Sequence, residues 1–166
     1  MAFELLETIT VGSGGIGAID FQAIPQDARD LKILASSTGQ NGNANTYNLR
    51  FNNLTSGYEM AKLQQTGTSL SAPSVSNGAT ITIANQGEPD WGAFANYEIT
   101  IYDYATNANP IGYAIGGAPN ISGTTMFQTI AQFGNSSTSA VASIQLFSSQ
   151  SLTFEEHSTF SLYKIY

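Results

Sequence analysis

One segment of this sequence combines two carboxylates with the chain's single tryptophan, and those residue types could bind a ligand. Residues 86–95 read QGEPDWGAFA, in which Glu88 and Asp90 flank Pro89 and Trp91 follows directly. An exposed indole ring can stack on a sugar while nearby carboxylates accept its hydroxyl groups, and it can equally anchor a protein interface. It can also close the end of a β-sandwich as an aromatic plug. We therefore take Trp91, Glu88 and Asp90 as candidate contacts for a partner or a glycan.

The same acids do not define a catalytic or metal site. Two carboxylates two positions apart can ligate calcium, but a calcium loop supplies six or more oxygens in a recognisable pattern, and the sequence contains none. Together with Glu155 and Glu156 they provide the acids that glycoside hydrolysis requires, without an arrangement that the sequence defines. The chain has one histidine, His157, and no cysteine, which removes most triad and thiolate chemistry. We expect no catalytic residue, no metal and no cofactor, in a protein that is not an enzyme.

A glycine motif near the amino terminus has the spacing of a dinucleotide-binding turn, but its context argues against one. Gly12, Gly14 and Gly17 fit the pattern G-x-G-x-x-G. That motif must open a helix whose N-terminus receives a pyrophosphate. Here the next residues alternate as a strand, and Pro25 follows. We therefore predict a hairpin loop at residues 12–15 and no bound nucleotide.

Composition limits the fold class and the partners. The chain has 166 residues, which suits one domain, and a net charge of −7 with only five basic residues. So few cations make nucleic acid an unexpected partner. Only 10% of the residues are charged, a composition that suits either a component of an assembly or an extracellular-type β-protein. No apolar run reaches the roughly 18 residues of a membrane span, so no membrane partner is expected. The opening residues lack a signal-peptide pattern, which predicts synthesis in the cytoplasm.

Short segments of alternating apolar and polar residues recur along the chain, separated by Gly, Pro, Asn and Ser. We predict about ten short strands and no helix. On the segment from residue 58 to 65, Tyr58, Met60 and Leu63 are expected to be buried, and residues 66–78 to form a long crossing loop. The segment from residue 111 is expected to end at Ile115. This spacing predicts a single domain, residues 1–166, with an antiparallel β-sandwich of the jelly-roll type whose first and last strands lie close together.

Three segments resemble a known family. The opening ELLETITVGSGG, followed by AIDFQAIPQDARDLKI, resembles the start of small all-β virion proteins of tailed bacteriophages, especially aquatic ones. The segment NYEITIYDYATNANP is similar to a strand and turn of that family, with Asp103 where proline is more usual. The final residues, SIQLFSSQSLTFEEHSTFSLYKIY, are similar to its Ile-x-Leu strand and its closing Leu-Tyr-Gly-Ile, in which Lys164 replaces the glycine and predicts a different last turn.

The resemblance implies a structural protein of the virion, on the capsid surface in preference to the tail. As a decoration or cement protein it would bind the major capsid protein or neighbouring virion proteins as a homo-oligomer, in particular a trimer. The chain is short and has no shaft repeats or coiled-coil heptads, which favours decoration over a fibre. The alternative is a tail or tail-fibre module that binds a host glycan through Trp91. A glycan-active enzyme that uses Glu88 or Asp90 is the third hypothesis.

Overall fold

The chain folds as an all-β protein, as the sequence predicts. A computed structural model describes residues 2–39, 46–85, 94–119, 126–148 and 152–166, and these contain thirteen strands and no helix. The strands are Phe3–Thr10 (β1), Ala18–Phe21 (β2), Asp30–Ser37 (β3), Thr46–Phe51 (β4), Tyr58–Thr66 (β5), Ser69–Ser71 (β6), Ser74–Gly78 (β7), Ile81–Asn85 (β8), Ala95–Tyr102 (β9), Ile111–Pro119 (β10), Met126–Asn135 (β11), Ile144–Ser148 (β12) and Thr159–Ile165 (β13).

The strands form two antiparallel sheets that pack against each other as a β-sandwich. The large, nine-stranded sheet has the order β1-β13-β3-β9-β10-β11-β5-β6, and β7 also pairs with β5. The small, four-stranded sheet has the order β2-β12-β4-β8. The first strand, β1, pairs with the last strand, β13, so the two are adjacent, as predicted.

The chain crosses between the sheets at its early and late connections. β1 lies in the large sheet and β2 in the small one, so the predicted hairpin at residues 12–15 is wrong. The segment instead carries the chain from one sheet to the other, with positive φ values of 94° at Gly14 and 71° at Gly15. The Gly15 N–H donates to the Gly12 carbonyl at 3.2 Å and closes the turn. A strand follows Gly17, which is consistent with the rejection of a nucleotide-binding turn.

Alternating apolar side chains from both sheets fill the space between them, because residues two apart on a strand face the same side. The alternation of apolar and polar residues that the sequence shows is matched by burial on five strands. The buried pairs are Ile19 and Phe21 on β2, Leu31 and Ile33 on β3, Leu49 and Phe51 on β4, Ile99 and Ile101 on β9, and Phe160 and Leu162 on β13.

The middle of the chain differs from the prediction in three respects. Residues 66–78 are not a long loop, because they contain β6 and β7, which fold back along β5. Leu63 is exposed rather than buried, since it lies on the face of β5 opposite to Tyr58 and Met60. β10 continues to Pro119 and does not end at Ile115. These strands extend the large sheet beyond β9.

Two glycines on β10 make room for aromatic rings on the inner face of the large sheet. Gly112 is paired with Phe133 of β11, and Gly116 is paired with Tyr97 of β9. A Cβ at Gly112 would overlap the Thr100 carbonyl oxygen and the Phe133 ring, and a Cβ at Gly116 would overlap the Tyr97 ring. The rings therefore lie over the glycine backbone, an arrangement known to compensate for the missing side chain.

Candidate binding surface

The residues that the sequence singles out for ligand binding lie outside the part of the chain that the structure describes. Trp91, Glu88 and Asp90 fall within residues 86–93, outside the described residues. The second acidic pair is described: Glu155 accepts a hydrogen bond from the Thr153 hydroxyl at 2.7 Å. In the ranges that the structure describes, no group of three or more His, Cys, Asp or Glu side chains could hold a metal ion. Over those same ranges, no helix is long and apolar enough to cross a membrane.

The outer face of the large sheet carries a cluster of exposed apolar side chains. Its members come from β5, β6, β10 and β11, and the exposed fractions range from 44% to 70%. The cluster, called the apolar face below, consists of Leu63, Leu70, Ile115, Met126 and Ile130. An antiparallel sheet normally turns polar residues to water on its outer side. An apolar outer face is therefore a candidate contact surface.

Strand register brings these side chains together. Ile115 on β10 is directly opposite Ile130 on β11, and Ile130 is opposite Leu63 on β5. Leu70 on β6 is paired with Gln65, two residues along β5 from Leu63 on the same face. The five residues line an open groove of about 550 Å³. Cross-strand neighbours of this kind form one continuous surface.

The groove has neutral polar residues at its margin. Gln65, Gln128 and Asn96 line it beside the apolar side chains. The nearest carboxylate in register is Glu98, which is opposite Ile115. Glu98 accepts from the Lys32 ammonium at 2.7 Å and from the Tyr113 hydroxyl at 3.1 Å. These hydrogen bonds, that of Lys32 foremost, lower the pKa of Glu98, so its charge is present and balanced by Lys32.

The outer face of the small sheet is polar, in contrast to the apolar face. Gln145 donates to Asp20 at 2.9 Å across the β12–β2 pair. Asn48 accepts a hydrogen bond from the Thr82 hydroxyl at 3.0 Å. The Arg50 guanidinium lies 4.5 Å from the centre of the Phe147 ring. Hydrogen-bonded and cationic groups of this kind suit contact with water, so the two sheets present chemically different surfaces.

A cluster of charged side chains connects the two chain ends. Lys164 is buried inside β13, and that strand continues to Ile165 without a turn at this position. Its ammonium lies 3.3 Å from Glu4 and 3.1 Å from Asp27. The Tyr166 hydroxyl donates to Glu4 at 2.7 Å. Hydrogen bonds to Tyr166, Asp27 and Glu4 raise the pKa of Lys164, and those from Tyr166 and Lys164 lower the pKa of Glu4.

Sequence reasoning did not identify the apolar face, although a signal was present. On β11 the residues MFQTIAQF place Met126 and Ile130 on one face and Phe127 and Phe133 on the other. A strand that is apolar on both faces contacts protein on both, or leaves one apolar face exposed. This pattern indicates that β11 has a second apolar surface besides the one in the core. It does not indicate which other strands contribute to that surface.

Comparisons with known proteins establish no relationship. No protein-family model matches the sequence. No curated protein matches it either. Among solved structures, a protein of unknown function from Shewanella oneidensis MR-1 is 9% identical, with a TM-score of 0.24, over 98% of this chain and 75% of the other. At that TM-score the likeness carries no argument about fold or function.

Proposed function

We propose that this chain is a non-enzymatic structural protein of a bacteriophage virion, most specifically a capsid decoration protein that binds and stabilises the shell as an oligomer. The single observation that carries the proposal is the apolar face. A continuous apolar surface of this kind on the outer face of a sheet suits a protein that works in permanent contact with other protein. The resemblance of the sequence to phage virion proteins supplies the setting.

The low charge of the chain supports the same role. Only 10% of the residues are charged, so the surface carries few charged groups. Such a surface forms contacts that salt and pH alter little, because few ion pairs are involved. A protein on the outside of a particle meets changing solution conditions, so this composition fits the proposed place.

We further propose that the sandwich is a jelly-roll with two insertions. In a jelly-roll, eight strands taken in chain order pair first with eighth, second with seventh, third with sixth and fourth with fifth. The strands β1, β2, β3, β4, β8, β9, β12 and β13 pair in this way. The remaining strands are inserted between β4 and β8 and between β9 and β12, and they widen the large sheet. This pairing supports the jelly-roll and leaves the insertions as its distinguishing feature.

A tail or tail-fibre module that binds host glycan remains the alternative. It depends on Trp91, Glu88 and Asp90, which lie outside the described residues. The strands on either side of these residues, β8 and β9, are described, but neither carries the apolar face. The apolar face favours contact with protein over contact with sugar, since sugars require hydrogen-bonding groups beside an aromatic ring.

Quantitative mass spectrometry of purified virus particles tests the proposed function. The particle is the one whose genome encodes this chain, and the measured value is the copy number of this chain relative to the major capsid protein. A decoration protein is expected at a copy number within about tenfold of the capsid protein, because it follows the capsid lattice. A handful of copies per particle indicates the tail alternative. Absence from particles that retain infectivity contradicts both.

A further inference from the structure

The apolar face lies on strands that are inserted into the large sheet beyond β9, and the opposite face of β5, β10 and β11 packs on the small sheet. Four strands of the large sheet pair with one another in the order β1-β13-β3-β9. The chain passes back and forth between these strands and those of the small sheet. Leu63, Leu70, Ile115, Met126 and Ile130 all lie beyond β9, on β5, β6, β10 and β11. These five exposed apolar side chains thus form one group on the outer face of the inserted strands.

Charge limits what can cover this face. The chain carries a net charge of −7, so two copies repel unless they meet where carboxylates are absent or paired. The side chains of the apolar face and its margin at Gln65 and Gln128 are uncharged. Glu98, the nearest carboxylate in register, is paired with Lys32 at 2.7 Å. Two copies of this acidic protein can therefore meet at the apolar face without bringing unpaired carboxylates together. A basic partner finds no unpaired carboxylate there to bind.

The size of the face is also suited to self-association. From their exposed fractions, the five side chains present roughly 500 Å² of apolar surface, and the polar margin brings the total towards the roughly 800 Å² per partner of a standard interface. The largest apolar patch of a typical monomer covers about 300 to 600 Å² and is often functional, so this face lies in the upper part of that range.

We infer that the apolar face binds a second copy of this chain, so that the extension strands β5, β6, β10 and β11 form the self-association surface. The inference deepens the proposed function. It rests on that function only in assuming that the apolar face is covered by protein in an assembly. The ends of the sandwich and the small sheet then remain free for other virion proteins.

Sedimentation equilibrium of the purified chain and two variants tests this inference. The wild-type chain is expected to sediment at a multiple of 17.6 kDa and to dissociate on dilution. The substitution Leu63→Gln is expected to raise the dissociation constant at least about tenfold, because it places a polar group at the centre of the contact. The matched control is Leu5→Gln: Leu5 is 53% exposed and Leu63 is 51% exposed, but Leu5 lies on β1 at the opposite edge of the sheet. The control is expected to associate as the wild type does.

A labelling measurement keeps the inference testable if Leu63→Gln fails to fold. The chain has no cysteine, so a single introduced thiol is unique. Leu70→Cys and Leu5→Cys add a thiol at an exposed site inside and outside the apolar face. We expect concentration-dependent protection from a maleimide reagent at position 70 and none at position 5. A wild-type chain that is monomeric throughout the micromolar range, or equal protection at both sites, overturns the inference.

The inference and the proposed function fail separately. A chain that self-associates through the apolar face but is missing from virus particles contradicts the virion role and leaves the inference intact. A chain that is abundant in particles but contacts capsid protein through the apolar face supports the virion role and overturns the inference.

Discussion

At the scale of single residues, the side-chain hydroxyl of Tyr58 forms hydrogen bonds that connect the two sheets. Tyr58 belongs to β5 in the large sheet, and its ring is fully buried. Its oxygen accepts from the Phe51 N–H at 2.8 Å and its hydroxyl hydrogen is directed to the Phe51 carbonyl at 3.4 Å, at the end of β4 in the small sheet. Burial raises the pKa of this hydroxyl, which keeps its proton available for donation. The contact satisfies backbone groups that have no access to water.

The substitution Tyr58→Phe is expected to destabilise the fold by about 1 to 3 kcal/mol, because it leaves the buried Phe51 N–H without an acceptor. The measurement is the free energy of unfolding by chemical denaturation. Tyr102→Phe is the control, since Tyr102 is partly exposed, and it should change the free energy of unfolding by less than about 0.5 kcal/mol. Equal effects of the two substitutions would contradict the role given to Tyr58.

Lys164 gives the fold a defined response to high pH. Its folded-state pKa is raised by its bonds to Tyr166, Asp27 and Glu4, so the stability it contributes is fully present below the unfolded value of about 10.4. That stability is lost as the pH rises above this value. Lys164→Met is therefore expected to lower the melting temperature at pH 7, and to show a smaller fall in melting temperature than the wild type between about pH 10 and 12.

Lys62 provides a control of opposite sign. Burial lowers the pKa of Lys62, so its charged form costs stability in the folded state, and this cost disappears as the pH rises through the folded pKa. Lys62→Met is therefore expected to keep or raise the melting temperature at neutral pH. If both lysine substitutions moved the melting temperature in the same direction at pH 7, the account of the Lys164 cluster would be wrong.

At the scale of elements, β10 determines how the large sheet continues past β9. It pairs with β9 on one side and β11 on the other, and its inner face contains Gly112 and Gly116 beneath aromatic rings. Glycine inside a strand weakens it unless neighbouring groups use the space. Here the Phe133 and Tyr97 rings occupy that space, which joins the extension to the core.

The substitution Gly116→Ala is expected to destabilise the protein by about 2 to 3 kcal/mol, because the new methyl group overlaps the Asn96 carbonyl and the Tyr97 ring. Thermal and denaturant unfolding measure the effect. Gly17→Ala is the matched control, since a Cβ there has no neighbour within 4 Å and φ is not positive. A neutral Gly116→Ala variant would show that β10 can shift away from Tyr97.

The sequence predicts a strand well when one face of that strand is buried and the other faces water. Strands with one buried face, such as β3 and β13, alternate cleanly, and their buried residues are predicted correctly. Residues 66–78 carry mostly Ser, Thr and Gly, so no alternation shows that β6 and β7 pair with β5. The hairpin predicted at residues 12–15 fails for another reason. A glycine turn has the same composition whether it joins neighbouring strands or crosses between sheets.

The candidate site was less predictable than the fold. Trp91 can be recognised in the sequence as a single residue, whereas the apolar face forms only when Ile115, Ile130 and Leu63 come together from three strands. That juxtaposition depends on long-range register between β5 and β11, which are separated by 59 residues of chain. Local periodicity carries no information about such register.

At the scale of the whole molecule, the outer surfaces of the two sheets differ in polarity. The small sheet turns hydrogen-bonded polar groups outward, and the large sheet turns the apolar face outward on its extension. Burying about 500 Å² of apolar surface per copy favours association, but it gives a stable oligomer only when the contact is well packed. We therefore expect a defined oligomer, with the extension strands at its centre and the small sheets directed away from it.

A cryo-electron-microscopy map of the virus particle in which we propose this chain to occur is the most direct test of its role. We expect sandwich-shaped density repeated over the capsid lattice, with copies meeting through the apolar face at Leu63, Ile115 and Ile130. Density for the chain at the tail alone would contradict capsid decoration and make Trp91 the first residue to substitute. A map that accounts for every capsid-surface density without this chain would contradict it as well.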